Sequence, residues 1–246
     1  MTKLVPIYED NYVFIHQTSN NGVYIVDPGK ASEVIAALDR EQLSPTAILI
    51  THHHWDHITG IEEIKENFNI PVYANQADSH RIPHVDHLIE REGELKIGMD
   101  SIEVLFTPGH TTGHIAYHFP KEKSLFSGDS LFALGCGKLF EGSAEDLWST
   151  FAKFKSLDQE TKIYCTHEYT LANAEFCEKI DPQNSGRQKY IKSFHELREK
   201  NKPSIPILLS NEIEWNPFLD PKSIPMFSHL DSIEALRELR LLKDKG

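Results

Sequence analysis

The sequence has few cysteines, a shortage of basic charge and no long apolar run, and each of these features disfavours a class of protein. Its 246 residues include 3 cysteines with no Cys-x-x-Cys pair, so we expect reduced thiols and a cytoplasmic location. The 25 basic residues face 37 acidic ones, and the net charge of −12 disfavours a nucleic-acid partner. No apolar stretch approaches the ~20 residues of a membrane helix, and the first residues lack the pattern of a signal peptide.

The spacing of apolar residues predicts an α/β fold followed by a helical tail. Short or alternating apolar runs indicate strands, whereas apolar residues three or four positions apart indicate helices. The predicted strands are 12–18, 22–26, 47–50, 71–74, 101–106, 115–119, 124–126 and 162–166. The predicted helices are 31–38, 58–68, 143–157, 171–180, 187–201 and 231–243. We therefore place a boundary near residue 167 and expect two domains, 1–167 and 168–246.

Histidines are frequent, and several of them are clustered. The chain has 14, and the segment 51–57, with the sequence THHHWDH, follows directly on the apolar run 47–50. A run without alternation suits a strand that is buried on both faces, and strand ends are where α/β folds build ligand sites. The alternative, a surface histidine tract that binds metal adventitiously, does not explain why the segment follows a buried strand.

The spacing within this segment predicts ligands for more than one metal ion. Alternate residues that leave a strand point the same way, so His52 and His54 can face one ion together. His53 then points away and has a structural role. Asp56 and His57 are placed to serve a second ion a short distance off.

Two metal sites need more ligands than this segment supplies. A carboxylate between two divalent ions would screen their repulsion, and each ion needs one more histidine. Three candidates each follow a predicted strand: His110, Asp129 and His167. Taken singly, each fits a core or turn role, but together with the first segment they are predicted ligands. For His114 and His118, core or supporting roles are favoured over ligation.

These motifs resemble the metallo-β-lactamase superfamily and, within it, the glyoxalase II (hydroxyacylglutathione hydrolase) family. The signature His-x-His-x-Asp-His is formed by His52, His54, Asp56 and His57. Further strings typical of the family are Gly128-Asp129-Ser130-Leu131-Phe132, Gly135-Cys136-Gly137-Lys138, Thr166-His167-Glu168-Tyr169-Thr170, Asn216-Pro217-Phe218 and Lys243-Asp244. The resemblance spans nearly the whole chain. It implies a four-layer αβ/βα sandwich with metals at one edge, followed by a C-terminal helical domain.

The resemblance also implies two divalent metal ions per chain. The first would be held by His52, His54 and His110, and the second by Asp56, His57 and His167. Asp129 would bridge the two ions together with a hydroxide, so that Asp56 and Asp129 would be catalytic as well as metal-binding. We expect zinc, with iron or manganese as alternatives, because imidazole and carboxylate ligands suit all three.

The reaction implied by the resemblance is thioester hydrolysis. The family cleaves S-D-lactoylglutathione, an S-2-hydroxyacylglutathione, to D-lactate and glutathione in the second step of methylglyoxal detoxification. The substrate-binding residues would be Lys138, Phe140, Tyr169, Arg240 and Lys243. Phe140 stands where the family often has tyrosine; if that hydroxyl hydrogen-bonds glutathione, Phe140 cannot supply the bond. Arg240 and Lys243 could instead complement the C-terminus of their helix.

Other functions remain open on the sequence alone. A persulfide dioxygenase would use a single iron and would not need Asp56 and His167 as ligands. A lactonase or β-lactamase would share the metals but lacks a reason for the basic last helix. A superfamily nuclease is disfavoured by the net charge, and a catalytically inactive binding module has no reason to keep seven ligands. We expect a monomer and assign Cys136 to packing.

Overall fold

Two six-stranded sheets form the centre of the computed structural model, which describes residues 1–245. The first sheet follows chain order: β1 (Thr2–Ile7), β2 (Asn11–Gln17), β3 (Val23–Val26), β4 (Ala47–Leu49), β5 (Val72–Asn75) and β6 (His87–Ile89). Neighbours are antiparallel from β1 to β3 and parallel from β3 to β6.

The second sheet begins with an antiparallel meander. Its strands are β7 (Gly93–Ile97), β8 (Asp100–Phe106), β9 (Ile115–Phe119) and β10 (Ser124–Gly128). A separate hairpin follows, with strands β11 (Leu131–Phe132) and β12 (Gly135–Cys136). The sheet is completed by β13 (Lys162–Cys165), which is parallel to β10, and by β14 (Ile207–Leu208), which is antiparallel to β13.

Within residues 1–245, eight α-helices surround the sheets. They are α1 (Ala31–Glu41), α2 (Trp55–Ile58), α3 (Ile61–Phe68), α4 (Ala144–Lys155), α5 (Thr170–Ile180), α6 (Ser185–Glu199), α7 (Leu209–Trp215) and α8 (Ser232–Lys245). Ser143 caps α4 in a capping box with Asp146. None of the helices in residues 1–245 is both long and apolar enough to cross a bilayer.

Alternating side chains on the first sheet supply two separate apolar cores. Phe14 and Leu49 point between the sheets, whereas their neighbours Ile15 and Ile48 point outward into a second core beneath α1 and α3. Because both faces of the central strands are buried, the run at 47–50 shows no polar alternation. Helix α4 and the tail helices cover the other sheet, which gives the αβ/βα layering that the resemblance implies.

The single helix predicted for 58–68 is wrong at its start. The chain forms α2, breaks at Thr59 and Gly60, and then begins α3. The N–H of Gly60 donates to the carbonyl of Pro28 at 2.8 Å, and a Cβ at Gly60 would lie 2.6 Å from that oxygen. The break therefore comes from contact with the loop after β3, which local spacing does not reveal.

The tail after residue 167 is helical, as expected, but it also contributes to the sheet and the core. Strand β14 pairs with β13, and α8 packs on α4. Within the tail, the buried guanidinium of Arg187 lies 2.6 Å from the carboxylate of Asp181 and donates to the carbonyl of Trp215 at 2.8 Å. The ion pair ties the start of α6 to the end of α5, and the hydrogen bond to Trp215 ties it to the end of α7.

We expect Arg187→Met to lower the free energy of unfolding by about 3–5 kcal/mol, because it leaves Asp181 buried without its partner charge. Chemical denaturation would measure the loss. The double variant Arg187→Met/Asp181→Asn should recover part of it, since no unpaired charge then remains. Equal stability of the wild type and the single variant would contradict this role.

Candidate metal centre

Four strand ends meet at one edge of the sandwich and carry all the predicted ligands. His52 and His54 follow β4, His110 lies in the loop after β8, Asp129 follows β10, and His167 follows β13. Residues 55–58 form α2, so Asp56 and His57 enter the site on the first turn of a helix.

Two groups of ligand atoms converge here. In the first, Nδ1 of His54 lies 3.0 Å from Nε2 of His52 and 3.0 Å from Nε2 of His110. In the second, the ligand atoms of Asp56, His57 and His167 lie within 4.8 Å of one another. Each group has the number and type of donors that hold a divalent ion in proteins.

Asp129 lies between the two groups. Its carboxylate oxygens are 3.5 Å from Nε2 of His110, 3.6 Å from Nε2 of His57 and 3.3 Å from Nε2 of His167. The preceding Gly128 has φ +50°, and a Cβ there would lie 2.5 Å from the Thr51 hydroxyl. Glycine therefore allows the chain to turn close enough for Asp129 to face both groups.

Neighbouring groups fix the ring proton of His52 and His57 on the outer nitrogen. Nδ1 of His57 lies 3.1 Å from the carboxylate of Asp27, which can only accept, so Nδ1 carries the proton. The Thr51 hydroxyl donates to the same carboxylate at 2.7 Å and therefore accepts from Nδ1 of His52 at 3.1 Å. In the neutral form of both rings, Nε2 therefore carries a lone pair and no proton.

His110 and His167 follow the same rule with different partners. Nδ1 of His110 donates to the backbone carbonyl of Lys138 at 2.8 Å, and Nδ1 of His167 donates to the carboxylate of Asp10 at 2.8 Å. In their neutral forms, all four rings therefore present an unprotonated Nε2 to the carboxylates of Asp56 and Asp129. Nδ1 of His54 is the one inward ring nitrogen whose proton no neighbour fixes.

Two buried atoms of the cluster have no hydrogen-bond partner, namely Nε2 of His57 and Oδ1 of Asp129. An unsatisfied buried polar atom costs about 1–3 kcal/mol. A cation placed among the lone pairs removes this cost, whereas a further hydrogen-bond acceptor would not. The residues present thus fit metal ions.

The electrostatics of the cluster also favour cations. Burial lowers the pKa of His54 to about 4, with further repulsion from neighbouring imidazoles. Burial opposes ionisation of Asp129, but the imidazoles of His167 and His57 hold the pKa of its carboxyl far below its usual value. Against burial, Asp129 and Asp10 raise the pKa of His167 to about 9, so its Nε2 attracts a positive charge, which either a proton or a metal ion in place of that proton supplies. Neutral imidazoles and ionised carboxylates are the forms that bind metal.

Two other histidines of these loops do not face the cluster. His53 points away, as the strand spacing predicts, and its Nδ1 lies 3.0 Å from the carboxylate of Asp78. His114 accepts from the backbone N–H of Asp129 at 3.1 Å, and its other nitrogen lies 2.7 Å from the Thr107 hydroxyl. Because both of its nitrogens are occupied, His114 supports the loop of Asp129.

A cavity of about 400 Å³ opens beside the cluster. All the residues predicted to bind substrate line it: Lys138, Phe140, Tyr169, Arg240 and Lys243. The Tyr169 ring stacks on the imidazole of His167 at 4.6 Å, and the exposed Phe140 ring packs edge-on against His54 and His110. The cavity therefore extends from both ligand groups towards α8.

The two basic residues of α8 differ in their surroundings. Arg240 is buried, and it donates to the carbonyl of Cys136 at 3.0 Å and to the carboxylate of Asp244 at 2.9 Å. The ammonium of Lys243 lies 4.8 Å from the centre of the Phe176 ring, and burial lowers its pKa. Arg240 thus braces the cavity wall, while Lys243 has no carboxylate partner among residues 1–245.

The wall also contains a thiol. Cys136 is buried, and burial raises its pKa although the Arg240 guanidinium partly opposes the shift. The other two cysteines, Cys165 and Cys177, are likewise free and buried. Burial raises the pKa of Cys177 to about 12 and that of Cys165 further.

The sequence did not reveal the residues that orient the ligands. These residues are Asp27, Asp10 and Asn11, whose side chains contact His57, His167 and Asp56, with the Asn11 amide donating to Asp56 at 2.8 Å. The available signal for Asp27 is its position directly after β3, the strand that pairs in parallel with the β4 strand before the histidine segment. Asp10 gave none, because it lies 157 positions from His167.

Two family models together match most of the chain. The model of the metallo-beta-lactamase superfamily matches residues 9–167, and the model of the hydroxyacylglutathione hydrolase C-terminus matches residues 168–246.

The chain is similar along nearly its whole length to curated hydroxyacylglutathione hydrolases. The Bdellovibrio bacteriovorus protein is 42% identical over 97% of this chain and 96% of its own, and the Methylococcus capsulatus protein is 39% identical over 98% and 96%. Among solved structures, the BLEG-1 B3 metallo-beta-lactamase is 27% identical with a TM-score of 0.70, over 89% of this chain and 100% of its own. TTHA1623, solved in a di-iron-bound form, is 26% identical with a TM-score of 0.58, over 68% and 91%. The chain therefore belongs to the hydroxyacylglutathione hydrolase family of the metallo-β-lactamase superfamily.

Proposed function

We propose that the protein hydrolyses S-D-lactoylglutathione to D-lactate and glutathione, with two divalent metal ions held at the edge of the sandwich. The observation that carries the proposal is the inward face of bare ring nitrogens, which the hydrogen bonds of Thr51, Asp27, Lys138 and Asp10 produce. Such outer partners are typical of histidines that bind metal.

The proposed ligand sets follow the two groups of atoms. One ion is assigned to His52, His54 and His110, the other to Asp56, His57 and His167, with Asp129 shared between them. We propose zinc, because the donors are imidazoles and carboxylates, with iron or manganese as alternatives. The di-iron-bound relative TTHA1623 supports two ions per chain, and its iron supports iron as the alternative to zinc.

When bound, such ions supply Lewis acidity and lower the pKa of water, so that hydroxide is available at neutral pH. The protein's own residues have three further tasks. Asp27 and Asp10 keep two imidazoles in the required tautomer. Phe132 and Phe140 cover the cluster with apolar surface, which limits access of bulk water. Asp56 and Asp129 provide the negative charge that balances the cations.

Basic side chains at the far end of the cavity suit an anionic peptide. Lys138 and Lys243 are assigned to the carboxylates of glutathione, and Tyr169 to the peptide beside His167. Arg240 is assigned mainly to holding the wall, because its described partners are Cys136 and Asp244. We propose a monomer, and the free cysteines suit a cytoplasmic location.

The position of Asp56 and His167 argues against the persulfide dioxygenase alternative. A single-iron enzyme would leave these two side chains without a ligand role. Here the carboxylate of Asp56 lies 3.4 Å from Nε2 of His167, and the same nitrogen lies 3.3 Å from the carboxylate of Asp129. Thiol release from S-D-lactoylglutathione, measured beside oxygen uptake with glutathione persulfide, separates the two activities.

The purified protein should release thiol from S-D-lactoylglutathione and contain two metal ions per chain by elemental analysis. Asp129→Ala should lose metal from both sites and nearly all hydrolysis, because this carboxylate faces both ligand groups. A variant that keeps full metal content and the wild-type rate would show that Asp129 is not shared between the ions.

Replacement of an orienting carboxylate should weaken metal binding without removal of a ligand. Asp27→Asn keeps an acceptor for Thr51 but can present an amide to His57, so metal affinity should fall about 10–100-fold. Competition with a chelator would measure this. Asp100→Asn is the control. Asp100 is also a buried carboxylate, but it accepts from Tyr24 at the start of β3 and from Thr18 directly after β2. Equal affinities for the two variants would contradict the orienting role.

Phe140→Tyr tests the departure from the family pattern. The added hydroxyl should form one hydrogen bond to the peptide. Since such a bond contributes ~1 kcal/mol to binding, KM should fall about fivefold. Phe140→Leu is the control, since it changes the ring without a gain of hydroxyl and should not lower KM. Steady-state kinetics on both variants decide the point, and an unchanged KM for Phe140→Tyr would exclude a contact at this position.

A further inference from the structure

The hairpin β11–β12 has an unusual environment for a tight turn. Turns normally lie at the surface, where water satisfies their backbone groups. The turn residues Ala133 and Leu134 are fully buried, and Leu134 has φ +56°. Their N–H and carbonyl groups must therefore find partners inside the protein.

Side chains of the tail supply those partners. The carboxylate of Glu212, on α7, accepts from the backbone N–H of Leu134 at 2.9 Å. The amide of Asn173, on α5, donates to the carbonyl of Ala133 at 2.9 Å. A Cβ at Gly135 would lie 2.4 Å from that amide, so the side chain packs directly against the turn.

Asn216 holds the base of the hairpin. Its amide nitrogen lies 3.1 Å from the carbonyl oxygen of Phe132 and 3.0 Å from that of Gly135, the two residues that pair across the hairpin. The same nitrogen lies 2.8 Å from the carboxylate of Glu212. The two side chains therefore act as one unit. This gives a structural task to the Asn-Pro-Phe motif, which the proposed reaction leaves without one.

Glu212 is fully buried and forms no ion pair within residues 1–245. Its second carboxylate oxygen accepts from the Tyr190 hydroxyl at 2.7 Å. Burial raises its pKa to about 7, while the hydrogen bonds from Tyr190, Leu134 and Asn216 oppose the shift. A buried carboxylate is costly for stability alone, and an apolar side chain would pack at lower cost.

The hairpin joins the metal cluster to the substrate cavity. It begins two residues after Asp129, and Phe132 packs 5.4 Å from the Tyr169 ring. Its second strand leads into Lys138, which lines the cavity and whose carbonyl accepts from His110. The position of the hairpin thus sets where Lys138 stands relative to the cluster.

We propose that Glu212 and Asn216 are positioning residues that hold the buried hairpin so that Lys138 faces the glutathione peptide. This inference rests on the proposed function through the role of Lys138. A small displacement of a binding group weakens substrate binding. Hydrogen bonds from Glu212 and Asn216 fix the hairpin in a defined direction, which apolar packing alone would not do.

The main test is Glu212→Met, which keeps the volume but cannot accept from Leu134. KM for S-D-lactoylglutathione should rise about 5–10-fold, while kcat and metal content stay within about twofold of the wild type. In Glu212→Gln the amide oxygen can still accept from the N–H of Leu134, while the amide nitrogen donates to the rotated hydroxyl of Tyr190. This variant should therefore retain most of the affinity for substrate. If Glu212→Met does not fold, Asn216→Ser tests the same anchor with the same expected direction.

Val34→Ala is the matched control for stability. Val34 is fully buried on α1 in the outer core, which contains no residue of the hairpin. Its replacement should lower the melting temperature without a change in KM. Amide hydrogen exchange of residues 131–136 should accelerate in Glu212→Met and not in Val34→Ala.

A double-mutant cycle with Lys138→Ala decides whether the effect passes through Lys138. If it does, Glu212→Met should change KM less than about twofold in the Lys138→Ala background. A KM for Glu212→Met equal to that of the Val34→Ala control, or full additivity with Lys138→Ala, would overturn the inference. Failure of the wild type to release thiol would instead refute the proposed function, so the two failures are distinguishable.

Discussion

The structure depends on the direction in which a few ring protons point. Asp27 accepts from both Thr51 and His57, and through Thr51 it also determines the proton position of His52. Asp10 acts in the same way on His167. Because these partners occupy the outer nitrogens, the inner ones are bare, and the buried centre is electron-rich. Such a cluster favours cations, so bound metal ions would also add to the stability of the fold.

The sandwich brings these groups together through strand ends that are distant in sequence. The sequence predicts which of these side chains lie together, because the histidine segment follows a buried apolar run and because His110, Asp129 and His167 each follow a recognisable strand. Two strong local signals, strand periodicity and ligand chemistry, coincide at these positions. The lining of the cavity followed only from the family resemblance, since no local pattern relates Lys138 to α8.

The features that sequence analysis missed depend on contacts between distant segments. The break between α2 and α3 is caused by the Pro28 carbonyl, and the hairpin at Leu134 is satisfied by Glu212, 78 positions away. Strands β1, β6, β7 and β14 were also missed. Such elements are stabilised by neighbours in the sheet, which local periodicity cannot report.

The burial of the three cysteines has a consequence for an enzyme whose proposed product is itself a thiol. Disulfide exchange requires a thiolate, and burial raises the pKa of Cys136, Cys165 and Cys177. Cys136 stands in the cavity wall, where the released tripeptide would pass, yet it stays protonated and shielded. Burial of these thiols therefore disfavours mixed disulfides between glutathione and the wall of the cavity.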